Sequence, residues 1–408
     1  MKPTATRTLA CLATLGLAAC GPAGAPDAWL GAVTALDDPA GPGSRYPHLA
    51  VGGGHVAMSW LQALPQGGFA LQHARWRDGA WGPAATVTTG DDWFVNWADF
   101  PSVVPLDATT WAAHWLQQKP GSVYSYDVRV AVSVDGGTNW TAPMSPHDDG
   151  TPTEHGFVTL FAAEDGTQAV WLDGRHTGGG HDHAAGAAGA MTIRSATIGA
   201  DGRRMGTDVE IDARVCDCCQ TDAALTTEGP VVVYRDRSER EVRDISLVRY
   251  SGGRWSEPVR VHDDGWEIDA CPVNGPAVDA RGRTVVVAWF TAPDVPRIRL
   301  AFSQDAGRTF GSPVEVASGD IAGRVDVVLL DGGRAIVSWL QPSAGGAEIR
   351  AQPFDRDGPA GAPVVVASSS VQRASGFPQM VRAGDGLLFA WTDTAEPAQV
   401  RTAYATLR

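Results

Sequence analysis

The apolar positions of this chain fall in short, Val-rich runs separated by Gly- and Pro-rich turns, a pattern that predicts β-strands. Seven runs end on an aromatic residue: "HVAMSWLQ" at Trp60, "TWAAHWLQ" at Trp115, "TQAVWLDG" at Trp171, "PVVVYRDR" at Tyr234, "TVVVAWFT" at Trp289, "RAIVSWLQ" at Trp339 and "GLLFAWTD" at Trp391. Successive aromatics stand 55, 56, 63, 55, 50 and 52 residues apart. A repeat of that length is one supersecondary unit that buries its apolar face only against its neighbours. The expectation is an all-β chain: a single β-propeller of four-stranded blades, seven in number, with six as the alternative.

A second marker follows six of the aromatics, where an arginine opens the next strand: Arg129, Arg194, Arg243, Arg299, Arg350 and Arg401. A residue repeated in register is a blade staple before it is a catalyst, so all six are set aside as structural. Two of the hairpins that follow carry Asp-boxes, "SVDGGTNW" (133–140) and "SQDAGRTF" (303–310). On these motifs the chain resembles the sialidase-like, or BNR/Asp-box, β-propeller superfamily over essentially the whole of residues 28–408. The last unit stops after "QVRTAYATLR", so "AWLGAVTAL" (28–36) is expected to add the missing outer strand and close the ring.

The first 19 residues read as an export signal: Lys2 and Arg7, an apolar run too short to span a bilayer, then "LAAC" ending at Cys20. That ending resembles a bacterial lipobox, which implies cleavage before Cys20, lipidation of Cys20, and residues 20–27 as a tether. Gly21 after it suggests the outer membrane, with the domain facing the periplasm or the cell exterior. Of 32 Lys+Arg, the leader holds two, leaving 30 against 46 Asp+Glu and a net charge of about −16, so nucleic acid is not an expected partner. Four cysteines remain in the exported part: Cys216, Cys218, Cys219 and Cys271.

Propeller geometry puts the loop after each second strand and the lead-in to each inner strand on one face, around the channel, and the Asp-box turns on the other. "RVCDCCQTD" leads into blade four and "EIDACPVNGP" into blade five, so the four cysteines are expected on the channel face. The loop "DGRHTGGGHDHAAGAAGA" after Trp171 brings Asp173, Arg175, His176, His181, Asp182 and His183 to the same face. Three readings of the cysteines stay open: structural disulfides, a soft or borderline metal site completed by His176, His181 or His183, and a redox-active pair. Thiolate and imidazole donors favour copper, then zinc. His48 and His155 sit at inner ends of blades one and three. Trp93, Phe94, Trp97 and Trp266 are out of register and suited to stacking sugars or shielding a metal.

The resemblance also implies, for an exo-sialidase, an arginine triad gripping a carboxylate, a Tyr nucleophile supported by a Glu, and an Asp acid/base. "SRYP" (44–47) resembles the Arg-Ile-Pro segment of those enzymes, with Arg45 at the first triad position. Arg175, Arg235 and Arg237 are the further arginines on the channel face, with Tyr234 and Glu267 as conceivable partners. The chain departs from that pattern in two ways: "LQALPQGGFALQ" after Trp60 has no Asp, and nothing in the family corresponds to "CDCCQTD". The leading expectation is an exported, lipid-anchored propeller that binds copper or zinc for binding, delivery or redox chemistry, with a metal-transfer partner. The alternative is an acidic-glycan-binding or sialidase-like protein with stapling disulfides, and a third is an envelope scaffold. If the chain is an enzyme, it is a glycoside hydrolase or a metal-dependent redox enzyme.

Overall fold

The computed structural model describes Met1 and residues 28–178 and 189–408. The chain winds into seven antiparallel sheets in a ring, their inner strands being Ser44–Gly52, Ser102–Pro105, His155–Ala163, Asp222–Thr226, Ala277–Arg281, Gly323–Leu329 and Gln379–Ala383. These are blades 1 to 7 in chain order. Blade 2 keeps three strands, its fourth reduced to the bridge between Val130 and Met144. Blade 7 is completed by Thr34–Ala35, which pairs with Tyr404 and Ala403, while Leu30 bridges Leu407. The N-terminal segment therefore closes the ring as its pattern anticipates, by supplying the outer strand that blade 7 lacks.

The repeated aromatics are the wedges between blades. Trp60, Trp171, Tyr234 and Trp289 are each no more than 1% exposed, and truncation of such a side chain costs about 3–5 kcal/mol. Five of the repeated arginines lie directly across the sheet from the aromatic: Arg129 opposite Trp115, Arg194 opposite Trp171, Arg299 opposite Trp289, Arg350 opposite Trp339 and Arg401 opposite Trp391. Arg243 breaks the rule. Tyr234 pairs with Ser246 instead, and Arg243 stands before the strand Ile245–Ser251 on the channel face.

Both Asp-boxes fold on themselves. Asp305 accepts from the backbone N–H groups of Arg308 and Thr309 and from the Ser303 hydroxyl, whose oxygen in turn accepts from Gly307 N–H; Asp135 and Ser133 repeat the arrangement. These bonds make each Asp-box a self-contained turn, a folding motif rather than a site.

Three aspartates stitch inner strands together. Val278 N–H donates to Asp222 (2.7 Å), Leu329 N–H to Asp279 (2.7 Å) and Met380 N–H to Asp326 (2.6 Å), each crossing from one blade to the next. All three line a cavity of about 700 Å³ bounded by inner strands of all seven blades, which is the central channel. Burial pushes Asp222 up to about 7 and Asp326 up to about 8.

Candidate functional site

The cysteine segment is positioned by its two ends. Val215 ends the outer strand of blade 3, Arg204–Val215, and bridges Asp236, while Cys216 N–H donates to the Arg235 carbonyl at 3.0 Å. Asp222 then opens the inner strand of blade 4. Between them Gln220 donates to the Ala98 carbonyl (2.6 Å) and accepts from Gly275 N–H (3.1 Å), tying together the lead-ins to blades 2, 4 and 5. Gly275 has to be glycine: a Cβ there would lie 2.3 Å from the Gln220 carbonyl oxygen. This tie sets the cysteine segment against the loop that carries Cys271.

The four thiols meet. Cys216 and Cys219 are buried with their sulfurs 3.4 Å apart, and the ligand atoms of Cys216, Cys218 and Cys219 all lie within 4.8 Å of one another. Cys218, partly exposed, also contacts Cys271. All four are thiols. Burial opposes ionisation of Cys216, but hydrogen bonds from Cys218 and Cys219 and the charges of Arg243 and Arg235 hold its thiol well below the usual range. Hydrogen bonding to Cys216 pushes Cys218 up, and burial pushes Cys219 up.

Buried guanidiniums surround it. Arg243, 1% exposed, donates to Cys216 Sγ at 3.3 Å and pairs with Asp217 (3.3 Å) and Glu241 (2.8 Å). Arg237 pairs with the same two acids, at 3.0 and 2.8 Å. Arg235, also 1% exposed, spends its donors on the carbonyls of Asn274, Arg243 and Phe290 and stacks over Trp266, 5.0 Å from the ring centre. Cys218, Trp97, Phe100 and Val273 pack on one buried apolar cluster that includes Phe157 and Phe377.

The other sequence candidates fall elsewhere. His176 is exposed and faces Glu210 at 4.0 Å, not the thiols. His181, Asp182 and His183 lie outside the described residues, as does Cys20. Tyr234 is buried and donates to Asp212 at 2.6 Å, and Glu267 is exposed and bridges Val242. Arg45 lies over Phe69, and Arg175 is clamped by Asp173 (2.7 Å) and Asp208 (2.9 Å). The four arginines Arg45, Arg175, Arg235 and Arg237 thus make separate local contacts, with Arg235 and Tyr234 buried in the blade core. Phe94 stacks on Tyr126 at 4.0 Å, Trp93 packs on Trp115, and Trp97 stacks on Phe377.

One cluster is only half anticipated by the sequence, which singles out His155 and Asp173 but not their partners His147, Asp127 and Asp149. His147 and His155 stack at 3.8 Å between Asp127 and Asp149, with Asp173 behind. His155 Nδ1 faces the Tyr126 carbonyl and Nε2 faces Asp149, at 3.2 and 3.0 Å. Both partners only accept, so both ring nitrogens carry protons. Burial disfavours that charge, yet Asp149 and its neighbours push His155 up. Val128 N–H donates to His147 Nε2, leaving its Nδ1 to donate to Asp149. With every ring nitrogen committed, this is a structural charge network joining blades 2 and 3, not a ligand set. The run "PHDDGTPTEH" supplies His147, Asp149 and His155 of this network.

No protein-family model and no curated protein sequence matches the chain. Solved structures do. A protein of unknown function from Dyadobacter fermentans is 13% identical, with a TM-score of 0.50, over 92% of this chain and 97% of its own. A puromycin-hydrolyzing peptidase of Mycobacterium tuberculosis is 13% identical with a TM-score of 0.50, over 88% of this chain and 51% of its own. A Trypanosoma rangeli sialidase is 12% identical with a TM-score of 0.47, over 78% and 55%. At these identities the likeness is one of fold alone: the chain has a seven-bladed β-propeller architecture.

Proposed function

We propose that this propeller is a metal-binding protein whose channel face holds copper, with zinc as the competing ion, through Cys216, Cys218, Cys219 and Cys271. The observation that carries the reading is the meeting of four thiols from two neighbouring lead-ins beside buried cations. Thiolate sets of this kind suit soft or borderline ions, and binding releases the thiol protons. Cys216 and Cys219 supply the deepest donors, while Cys218 and Cys271 stand nearer the surface where a metal arrives or leaves. Arg243 fixes the Cys216 sulfur, and Cys218 packs on the apolar cluster beside it. In this reading the chain is exported and lipid-anchored at Cys20 in a bacterial envelope, handing its metal to a partner; the "LAAC" stretch supports the anchor.

A glycan role has less support, because Arg235 and Tyr234 are buried and Arg175 and Arg237 are paired with carboxylates. The test is elemental analysis of the purified protein with a free-thiol count under denaturing conditions. Near-stoichiometric copper or zinc, lost in Cys218→Ser, supports the reading. No metal in a metal-replete preparation, with all four thiols oxidised, overturns it.

A further inference from the structure

Each Asp-box turn receives an arginine from the preceding blade, and the two arginines end up in different company. Arg75 lies opposite Ala57, three residues before Trp60, and Arg249 lies opposite Val231, three residues before Tyr234, so they hold the same place in blades 1 and 4. Arg75 donates to the Gly136 carbonyl of the first box, and Arg249 to the Gly307 carbonyl of the second. Trp111 pairs with Ser133, where the first box begins, and its ring centre lies 4.4 Å from the Arg75 guanidinium. The residue in that register at the second box is Val285, paired with Ser303. It has no ring to offer, and among the described residues none lies over Arg249.

A cavity of about 330 Å³ opens beside Arg249 instead, between the blade 4 hairpin at 226–229 and the second Asp-box, with Glu228, Ser251 and Arg308 also in its wall. Arg249 is half-buried, and its bond to Gly307, at 3.4 Å, is longer than an ordinary N–H···O bond. Its other N–H groups have no acceptor among the described residues. The motif's own bonds are internal, but its variable position carries Arg308, which donates to the Asp305 carbonyl at 2.8 Å and shares Glu228 with Arg283, at 2.5 and 2.6 Å. Asp305 spends both carboxylate oxygens on its own turn. Arg249, Arg283 and Arg308 thus carry three positive charges against the two negative charges of Glu228 and Asp305, an excess of one. Burial, and then the like charge of Arg308, hold the Arg249 guanidinium below its usual range.

We propose that this cavity is an oxyanion site, in which Arg249 and Arg308 hold the phosphoryl or carboxylate group of a small ligand and the Ser251 hydroxyl is a further donor. The guanidinium fork suits both groups, because its N–H donors match two oxygens at once. A volume of about 330 Å³ stands at the small end for ligand sites and suits one small molecule. The site lies on the Asp-box face, away from the thiols, and does not depend on the metal-binding reading.

The experiment is calorimetric titration of the full-length protein at low ionic strength with inorganic phosphate in one arm and acetate in the other, chloride at matched ionic strength serving as the control. Wild type is expected to bind at least one of the two oxyanions saturably. Arg249→Met and Arg308→Met should each weaken that binding at least about tenfold, the worth of a charge-assisted hydrogen bond. Arg75→Met, which removes the matching guanidinium at the first Asp-box, should leave it unchanged. Arg308 is exposed, so its variant keeps the test open if Arg249→Met does not fold. Saturable binding of phosphate alone supports the site with a phosphoryl ligand, and of acetate alone with a carboxylate. Saturable binding of neither, or equal binding by wild type and Arg308→Met, would overturn the proposal and leave Arg249 a staple like Arg75.

Discussion

Replacing Gly275 with alanine tests whether the two cysteine-bearing lead-ins form one site. The new Cβ would meet backbone on three sides of Gln220: its carbonyl oxygen at 2.3 Å, its nitrogen at 2.8 Å and its carbonyl carbon at 2.9 Å. Backbone cannot rotate away as a flexible side chain can. Restoring ordinary van der Waals contact requires a separation of about 1 Å, the order of overpacking that costs about 1–3 kcal/mol. Gln220 follows Cys219 directly, and Gly275 stands four residues after Cys271, so the displacement falls between the Cys216–Cys219 segment and Cys271. Outer-shell damage of this kind lowers metal affinity about 10–100-fold. Gly345→Ala is the control, because nothing lies within 4 Å of its added Cβ. Affinity by chelator competition and the alkylation rate of the four thiols are the assays: Gly275→Ala should bind more weakly and react faster, and Gly345→Ala should match wild type. Equal behaviour of the two variants would refute the claim that the Gln220–Gly275 contact aligns the thiols.

Other outcomes follow from the same structure. Asp222 and Asp326 hold protons in the folded state up to about pH 7 and 8, against 3.8 for the ordinary group; the native chain binds more protons, so stability should fall as pH rises through that range. Urea midpoints at about pH 5.5 and about pH 8.5 check the sign, and Asp326→Asn should shrink the difference. His155→Gln strips the cation from between Asp149 and Asp173 and should cost about 3–5 kcal/mol while leaving metal content unchanged. Asp305→Ala removes the acceptor that organises the second Asp-box and should cost about 1–3 kcal/mol, again with no effect on metal.

The architecture was legible because the propeller repeats its own chemistry. Trp171 opposite Arg194 and Trp289 opposite Arg299 are the same cross-strand pair, so a fixed spacing in sequence reports a fixed position in space. Ring closure was readable for a related reason: a final blade one strand short needs residues near the N-terminus to supply it. Convergence of the four cysteines also followed from topology, since consecutive lead-ins share a face. What spacing concealed is direction. Arg243 keeps the interval of the repeated arginines yet sits off the ladder, aimed at Cys216, and Arg235 follows a core tyrosine yet turns back into the protein to bind carbonyls. Asp222, Asp279 and Asp326 carry no motif, because their partners are backbone N–H groups that any residue supplies. The link between His147 and His155 was hidden for want of a spacing rule: it is a carboxylate shared across a loop.

Copper K-edge X-ray absorption of the purified, copper(I)-loaded protein tests the central claim most directly. The expected spectrum shows a first shell of sulfur alone, lost in Cys216→Ser. A nitrogen- or oxygen-dominated shell, or an unaltered spectrum in that variant, would contradict it.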